Sequence, residues 1–166
     1  AAKYFNTDTL VQITGDCPLI DVKLVDEAIK LFESCYPKSR LVSNTGPNIS
    51  MPWGFDVQVY KARELEKILK SKDITDEDRE HVSNRFYQQK YKNEYNPIYI
   101  SYPYPLNRSE LRVTLDYQED FDLIKAIIED FSLKKIADTK MYEIISWLDN
   151  NPIIRDASIN KHLLGN

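Results

Sequence analysis

The chain has 166 residues, 42% of them hydrophobic and 29% charged, which is the composition of one globular domain and excludes a disordered or fibrous protein. The formal net charge of −4 and the pI near 5.3 argue against a nucleic-acid partner, which would need a basic face. No apolar run approaches the roughly 20 residues that span a bilayer, so no membrane partner is expected.

From the N-terminus, apolar periodicity predicts short strands that alternate with helices. Residues 10–14 are a β-rich run that ends at Gly15-Asp16. A helix is predicted over residues 22–36, with Asp21 as its N-cap and Pro37 at its end. The pattern then predicts, in order, a strand over 41–43, a strand over 55–60 and a short helix over 63–70.

The second half of the chain continues this alternation. Residues 75–78 (TDED) resemble a capping box and open a helical segment that extends to residue 91. Further predicted elements are an aromatic strand over 98–104, a strand over 111–115, a helix over 119–131 with Phe121, Ile124, Ile127 and Ile128 on its apolar face, and a last helix near 141–149. The alternation predicts a layered α/β sheet that is at least partly parallel.

The two cysteines, Cys17 and Cys35, are too few for a disulfide framework. We interpret both as reduced thiols, which favours a cytoplasmic protein. Residues 1–6 also lack the charged-then-apolar pattern of a secretion signal.

Two aspartates directly follow predicted strands. Asp16 comes after the strand at 10–14, and Asp116 comes after the strand at 111–115. Ligands of α/β sheets bind at the carboxyl ends of strands, so the two carboxylates would meet if these strands were parallel neighbours. Mg²⁺, which takes one or two carboxylates together with waters and substrate phosphates, is then the expected cofactor. The alternative is that each aspartate caps a helix or stabilises a turn.

Four sequence blocks carry a resemblance to a known family. Residues 14–21 (TGDCPLID) resemble a signature of the cytidylyltransferase family that includes spore coat polysaccharide biosynthesis protein F. Three further blocks are similar to family motifs and occur in the same order: residues 52–59 (PWGFDVQV), 78–83 (DREHVS) and 111–116 (LRVTLD) with the following 119–121 (EDF). Trp53 departs from the family pattern, which usually has an acidic residue there.

The resemblance implies a Rossmann-like α/β fold of the nucleotide-diphospho-sugar transferase type, with a mostly parallel sheet and helices on both faces. It implies that residues 1–152 are the C-terminal majority of a cytidylyltransferase domain, followed by a C-terminal tail over 153–166. The family's first strand and its phosphate-binding loop have no counterpart here. We therefore expect the chain to be a fragment with an N-terminal strand-loop unit missing and with little activity alone.

The activity implied by the resemblance is the activation of a sugar or sugar acid with CTP for surface polysaccharide biosynthesis. An oxygen of the sugar attacks the α-phosphate of CTP and releases pyrophosphate, and Mg²⁺ neutralises the phosphate charge. The implied assembly is a homodimer. Two alternatives stay open: a non-catalytic interaction or dimerisation module derived from the family, and a nucleotidyltransferase that uses another base.

The resemblance also assigns roles to individual residues. Asp16 and Asp116 match the family's catalytic, metal-binding aspartates, and Gly54 and Asp56 match its sugar-side loop. Gly15 would let a ligand approach the backbone closely. Three basic side chains are candidates for substrate binding with structural alternatives: Arg79 and His81, which could instead belong to a charged surface helix, and Arg112, which could instead form a structural ion pair.

Overall fold

The computed structural model describes residues 1–47 and 49–164, without the side chains of residues 133, 134 and 164. The chain divides into two compact units, each assembled from three separated stretches. Unit 1 comprises Ala1–Gln12, Glu27–Pro47 and Val57–Ile100, and unit 2 comprises Ile13–Asp26, residues 49–56 and residues 101–164. Within the described residues, every helix is too short or too polar to cross a bilayer.

Unit 1 contains a four-stranded mixed sheet. Its strands are β1 (Thr9–Gln12), β2 (Leu41–Ser43), β3 (Gln58–Lys61) and β4 (Ile98–Tyr99), in the order β1-β3-β2-β4. The β3 strand pairs antiparallel with both β1 and β2, and only the β2–β4 pair is parallel.

The prediction of a mostly parallel sheet is therefore wrong. Parallel neighbours need a crossover connection that is usually helical. The described residues of the connection from β2 to β3 form turns and bends instead, and the chain returns antiparallel. The prediction of an α/β fold made of short strands and longer helices is confirmed.

Most predicted helices of the first half occur within one or two residues of their expected bounds. Helix α1 covers Val22–Cys35 and helix α2 covers Ala62–Leu69. Asp21 caps α1 as predicted, because its Oδ1 accepts the backbone N–H of Lys23 at 2.8 Å.

One buried hydrophobic cluster of unit 1 is rich in aromatic side chains. It contains Leu41, Tyr60, Ile68, Phe86 and Tyr95. Helix α2 contributes Ile68 to this cluster, whereas the next residue, Leu69, is 52% exposed.

The segment predicted as one helix over 75–91 is broken into short pieces. These are α3 (Asp76–Glu80), α4 (Asn84–Tyr87), a 3₁₀ turn (Gln89–Tyr91) and α5 (Lys92–Tyr95). The predicted capping box is confirmed, with the Asp78 N–H donating to Thr75 Oγ1 and the Thr75 N–H donating to an Asp78 carboxylate oxygen, both at 3.1 Å. Helix α3 ends at Glu80, because its C-cap residue His81 has a φ of −104° and a ψ of 88°, which are not helical.

In unit 2 the predicted strand over 111–115 is reduced to a single bridge residue and lies outside the four-stranded sheet. One parallel bridge joins Trp53 to Arg112. The Trp53 N–H donates to the Leu111 carbonyl at 2.9 Å, and the Val113 N–H donates to the Trp53 carbonyl at 2.7 Å. The predicted strand over 98–104 is likewise shortened to β4, since Pro103 and Pro105 cannot donate a ladder hydrogen bond.

The helices of unit 2 are α6 (Gln118–Phe131), α7 (Leu133–Ile136), α8 (Met141–Asn150) and α9 (Pro152–Leu164). The buried face of α6 includes Leu123, Ile124 and Ile127, whereas Phe121 is 49% exposed, so its predicted place on the apolar face is wrong. Helix α9 occupies most of the segment predicted as a tail. Pro152 stands at its first position, where a missing N–H costs nothing.

Candidate functional site

Unit 2 brings the two predicted metal-binding aspartates into neighbouring backbone segments. The Leu115 N–H donates to the Asp16 carbonyl at 2.9 Å, so the residue immediately before Asp116 is bonded to Asp16. Asp16 is half-buried and the Asp116 side chain is 45% exposed. The expected reason for this proximity, two parallel strands of one sheet, does not hold, because residues 111–115 are outside the four-stranded sheet.

Asp56 is the third carboxylate of this region and the most perturbed. Burial, followed by the negative charge of Asp16, raises the pKa of Asp56 to about 6, and a backbone hydrogen bond from Gly54 opposes this rise. The effect of Asp16 on Asp56 shows that these two carboxylates are electrostatic neighbours. A cation held between them would remove this repulsion.

The types of side chain in this region are those that Mg²⁺ prefers. Asp16, Asp56 and Asp116 provide hard carboxylate oxygens, which Mg²⁺ prefers together with water and phosphate. Among the described residues, the one set of three possible ligand atoms that lie within 4.8 Å of one another belongs to Asp116, Asp120 and His162. Asp120 is fully buried and already accepts several hydrogen bonds, described below, so we interpret that set as a hydrogen-bond network rather than an ion site.

Cys17 lies beside this carboxylate region but is not activated as a nucleophile. Its Sγ is 3.3 Å from Thr14 Oγ1 and 3.7 Å from Asp16 Oδ1. Burial, opposed by the hydrogen bond to Thr14, raises the pKa of Cys17 to about 11, so its thiol stays protonated at neutral pH. Both cysteines are free thiols.

Arg112 is an ion-pair partner of the predicted metal ligand Asp116. One terminal nitrogen of Arg112 donates to Asp116 Oδ2 at 2.7 Å and to Asp120 Oδ2 at 3.4 Å, and it also contacts the Thr114 hydroxyl. Arg112 therefore forms the structural ion pair that the sequence analysis gave as the alternative to substrate binding. Among the described residues its buried Nε has no hydrogen-bond partner.

Asp120 was not identified from the sequence as a candidate site residue, although it lies in the EDF block. Its Oδ2 accepts the backbone N–H groups of Asp116 and Tyr117, each at 3.0 Å. Its Oδ1 accepts the Ser158 hydroxyl at 2.5 Å, and Oδ2 lies 3.1 Å from His162 Nε2. Burial opposes ionisation, but the hydrogen bonds from Ser158 and His162 hold the pKa of Asp120 below its usual value.

The two predicted glycines differ in what their positions require. Gly54 has a φ of +104°, and a Cβ added there would lie 2.7 Å from the Val113 carbonyl carbon. Gly54 is therefore required for the close approach of the loop to residues 111–115. At Gly15 an added Cβ would meet no atom within 4 Å, which leaves room for a ligand beside the backbone.

Arg79 and His81 lie in unit 1, and both are exposed on the short helix α3 and at its C-cap. The buried pair in this region is instead Asp78, the first residue of the DREHVS block, and Arg85, two residues after it; their side chains are 1% and 3% exposed. Arg85 donates to Asp78 Oδ2 at 2.7 Å and to Asp73 Oδ1 at 2.8 Å. Asp78 of the DREHVS block therefore forms a structural ion pair, which the sequence analysis did not predict.

Asn44, which follows β2, is buried, with 4% exposed. Its side-chain oxygen accepts the Val57 N–H at 2.8 Å, and its own N–H donates to the Val57 carbonyl at 3.3 Å. These two bonds hold the chain on either side of the loop and give Asn44 a structural role.

Comparison with known proteins identifies the following relatives. An uncharacterized protein of Methanocaldococcus jannaschii is 29% identical over 160 residues, which is 96% of this chain and 61% of that protein. Spore coat polysaccharide biosynthesis protein SpsF of Bacillus subtilis is 25% identical over 143 residues, 86% of this chain and 55% of SpsF. No family model matches the chain.

The fold is similar to that of a solved cytidylyltransferase. The enzyme from Leptospira borgpetersenii serovar Hardjo-bovis superposes with a TM-score of 0.79 at 28% identity, over 93% of this chain and 61% of that one. The resemblance to cytidylyltransferases seen in the four sequence blocks is thus supported by the three-dimensional structure. The chain spans 61% of the first curated relative and 55% of the second.

Proposed function

We propose that the protein is a Mg²⁺-dependent cytidylyltransferase that uses CTP to activate a sugar or sugar acid for surface polysaccharide biosynthesis. The observation that carries the proposal is the hydrogen bond between the Leu115 N–H and the Asp16 carbonyl. It joins the segments of Asp16 and Asp116 within a fold similar to that of a solved cytidylyltransferase.

In this proposal Asp16 and Asp116 hold Mg²⁺. The negative charge of Asp16 also helps to raise the pKa of the neighbouring Asp56. The ion, when bound, neutralises the phosphate charge of the nucleotide. Arg112 keeps one Asp116 oxygen in a defined position through its 2.7 Å ion pair. Catalysis of this kind depends mainly on positioning and on preorganised charge.

Asp56 and Gly54 form the sugar side of the proposed site. With a pKa of about 6, Asp56 is mostly ionised at neutral pH and able to accept hydrogen bonds from sugar hydroxyls. The same pKa suits a base that takes the proton of the attacking sugar oxygen. Gly54 holds the loop that carries Asp56 tightly against residues 111–115.

The test is a pyrophosphate-release assay on the protein expressed from its complete gene. CTP, UTP and ATP are compared with Mg²⁺ against a panel of sugars and sugar acids. We expect turnover with CTP that EDTA abolishes, and a loss of about 100-fold in kcat/KM for Asp16→Asn and Asp116→Asn. Asp26→Asn, at an exposed position of α1, is the matched control.

The proposal is wrong if the wild-type protein releases no pyrophosphate with any nucleotide, or if both aspartate variants are as active as Asp26→Asn. Turnover with UTP or ATP in preference to CTP would keep the nucleotidyltransferase chemistry and correct the base. The assignment of the sugar side is then tested by limited proteolysis with and without the sugar. The protection that the sugar gives to wild type is compared with the protection it gives to Asp56→Asn and Gly54→Ala.

A further inference from the structure

Helix α9 reaches the proposed site through two side chains. Ser158 is fully buried, and its hydroxyl donates to Asp120 Oδ1 at 2.5 Å. One turn further along α9, His162 Nε2 lies 3.1 Å from Asp120 Oδ2. Because Oδ2 of Asp120 already accepts the backbone N–H groups of Asp116 and Tyr117, we assign Nε2 of His162 as the donor of this bond.

Asp120 transmits the position of α9 to the Asp116 segment in two ways. Its Oδ2 accepts the backbone N–H of Asp116 itself at 3.0 Å. The same oxygen accepts from Arg112 at 3.4 Å, and that Arg112 nitrogen donates to Asp116 Oδ2 at 2.7 Å. Both the backbone and the carboxylate of Asp116 are thus tied to one buried group.

We propose that Ser158 and His162 are positioning residues that fix Asp116 through Asp120 and Arg112. This inference rests on the proposed function, since it matters for chemistry only if Asp116 binds the metal. Partners of ligating carboxylates orient the ligand, and their removal typically lowers metal affinity by about 10-fold to 100-fold. Helix α9 is then a part of the active-site structure.

Two substitutions of His162 distinguish a packing role from a positioning role, because the two roles predict opposite results for them. The imidazole also packs edge-on against the Tyr117 ring, with centroids 4.6 Å apart. His162→Phe keeps a ring for that contact and removes the donor, whereas His162→Gln loses the ring and offers an N–H near the place of Nε2. If packing alone matters, Phe is the better replacement; if the hydrogen bond positions Asp116, Gln is.

The experiment measures Mn²⁺ binding by electron paramagnetic resonance, with Mn²⁺ alone as the probe, and kcat and KM for CTP. We expect His162→Phe and Ser158→Ala to weaken Mn²⁺ binding by about 10-fold and to lower kcat, with His162→Gln close to wild type. Ser146→Ala, at an exposed position of α8, is the serine control and should behave as wild type.

A second readout is independent of any metal. The Arg112 side-chain N–H resonances report its ion pairs in nuclear magnetic resonance spectra, and we expect them to broaden or shift in His162→Phe but not in His162→Gln. The inference is overturned if both variants keep the wild-type Arg112 signals, or if His162→Phe binds Mn²⁺ as tightly as wild type. If Asp116→Asn and wild type bind Mn²⁺ equally, the proposed metal site fails instead, and the Arg112 signals still decide the positioning role.

Discussion

Asp56 is a carboxylate whose ionisation opposes folding. Burial and the charge of Asp16 raise its pKa from 3.8 to about 6, so between these values the folded protein binds more protons than the unfolded chain. The free energy of unfolding therefore falls as the pH rises through this window. Such a buried, repelled carboxylate lowers the stability of the folded protein. A ligand that pairs with its charge reduces this cost, and carboxylates of this kind are therefore common in binding sites.

We expect Asp56→Asn to be more stable than wild type by about 2 kcal/mol near pH 8, a value discounted for the partial exposure of the side chain. The difference should become small near pH 3, below both pKa values, where Asp56 is mostly protonated in both states. Urea unfolding at the two pH values measures it, with Asp26→Asn as the exposed control. A variant that is no more stable than wild type near pH 8 would contradict the raised pKa.

Gly54 and Gly15 form a matched pair for testing backbone requirements. We expect Gly54→Ala to lose about 3 kcal/mol of stability, because alanine at a φ of +104° is strained and its Cβ would press on Val113. Gly15→Ala should stay within about 0.5 kcal/mol of wild type. Thermal unfolding of the two variants measures the contrast, and equal melting temperatures would show that the loop at Gly54 relaxes freely.

At the scale of elements, Asp21 shows how far local signals extend. The sequence predicted its capping of α1, which depends on a neighbour two residues away. The same carboxylate also accepts the Met141 N–H at 2.9 Å, at the start of α8. This second bond joins residues 120 positions apart, and no local pattern contains it.

The predictions that were wrong for two segments share a physical cause. The helical pattern over 75–91 was outweighed by Arg85, which turns back to Asp73 and Asp78. The extended run at 111–115 has the expected pattern but finds its partners at Trp53 and Asp16 rather than in the sheet. Long-range pairing decided these cases, whereas the long amphipathic helices α1, α6 and α8 depend on local periodicity and were predicted nearly to the residue.

The Asp78–Arg85 pair gives the prediction for this scale. We expect Arg85→Met to destabilise the protein by about 4 kcal/mol, because it leaves a buried carboxylate uncompensated. Asp78→Asn combined with Arg85→Met should recover part of the loss, since the remaining groups are neutral. Denaturant unfolding measures both variants.

Arg79→Met is the control for this pair, because the Arg79 side chain is exposed and lies six positions before Arg85. It should change stability by about 0.5 kcal/mol or less. An Arg85→Met variant as stable as Arg79→Met would show that the pair is not desolvated.

For the molecule as a whole, the candidate site could be predicted only in part. Asp16 and Asp116 were identified from the residues that precede them, and the structure places their segments side by side. Asp120 and His162 were not, because their roles depend on α9 packing along α6, and the sequence of α9 has a weak apolar pattern. Residues that contact substrate can be identified from a sequence motif. Residues that support them can be identified only from their contacts in the three-dimensional structure.

Ligand-linked stability tests the site on the whole protein without requiring turnover. A ligand at about 100 times its Kd stabilises the folded state by about 2.7 kcal/mol, which for a chain of this size is a rise of roughly 5–10 °C in Tm. We expect Mg²⁺ with CTP to produce this rise in wild type and in Asp26→Asn, but not in Asp16→Asn or Asp116→Asn. Because the protein carries a net charge of −4, Mg²⁺ alone also screens its repulsion. Scanning calorimetry at matched ionic strength separates the two effects, and an equal rise in all four proteins would assign it to screening and count against a site at the two aspartates.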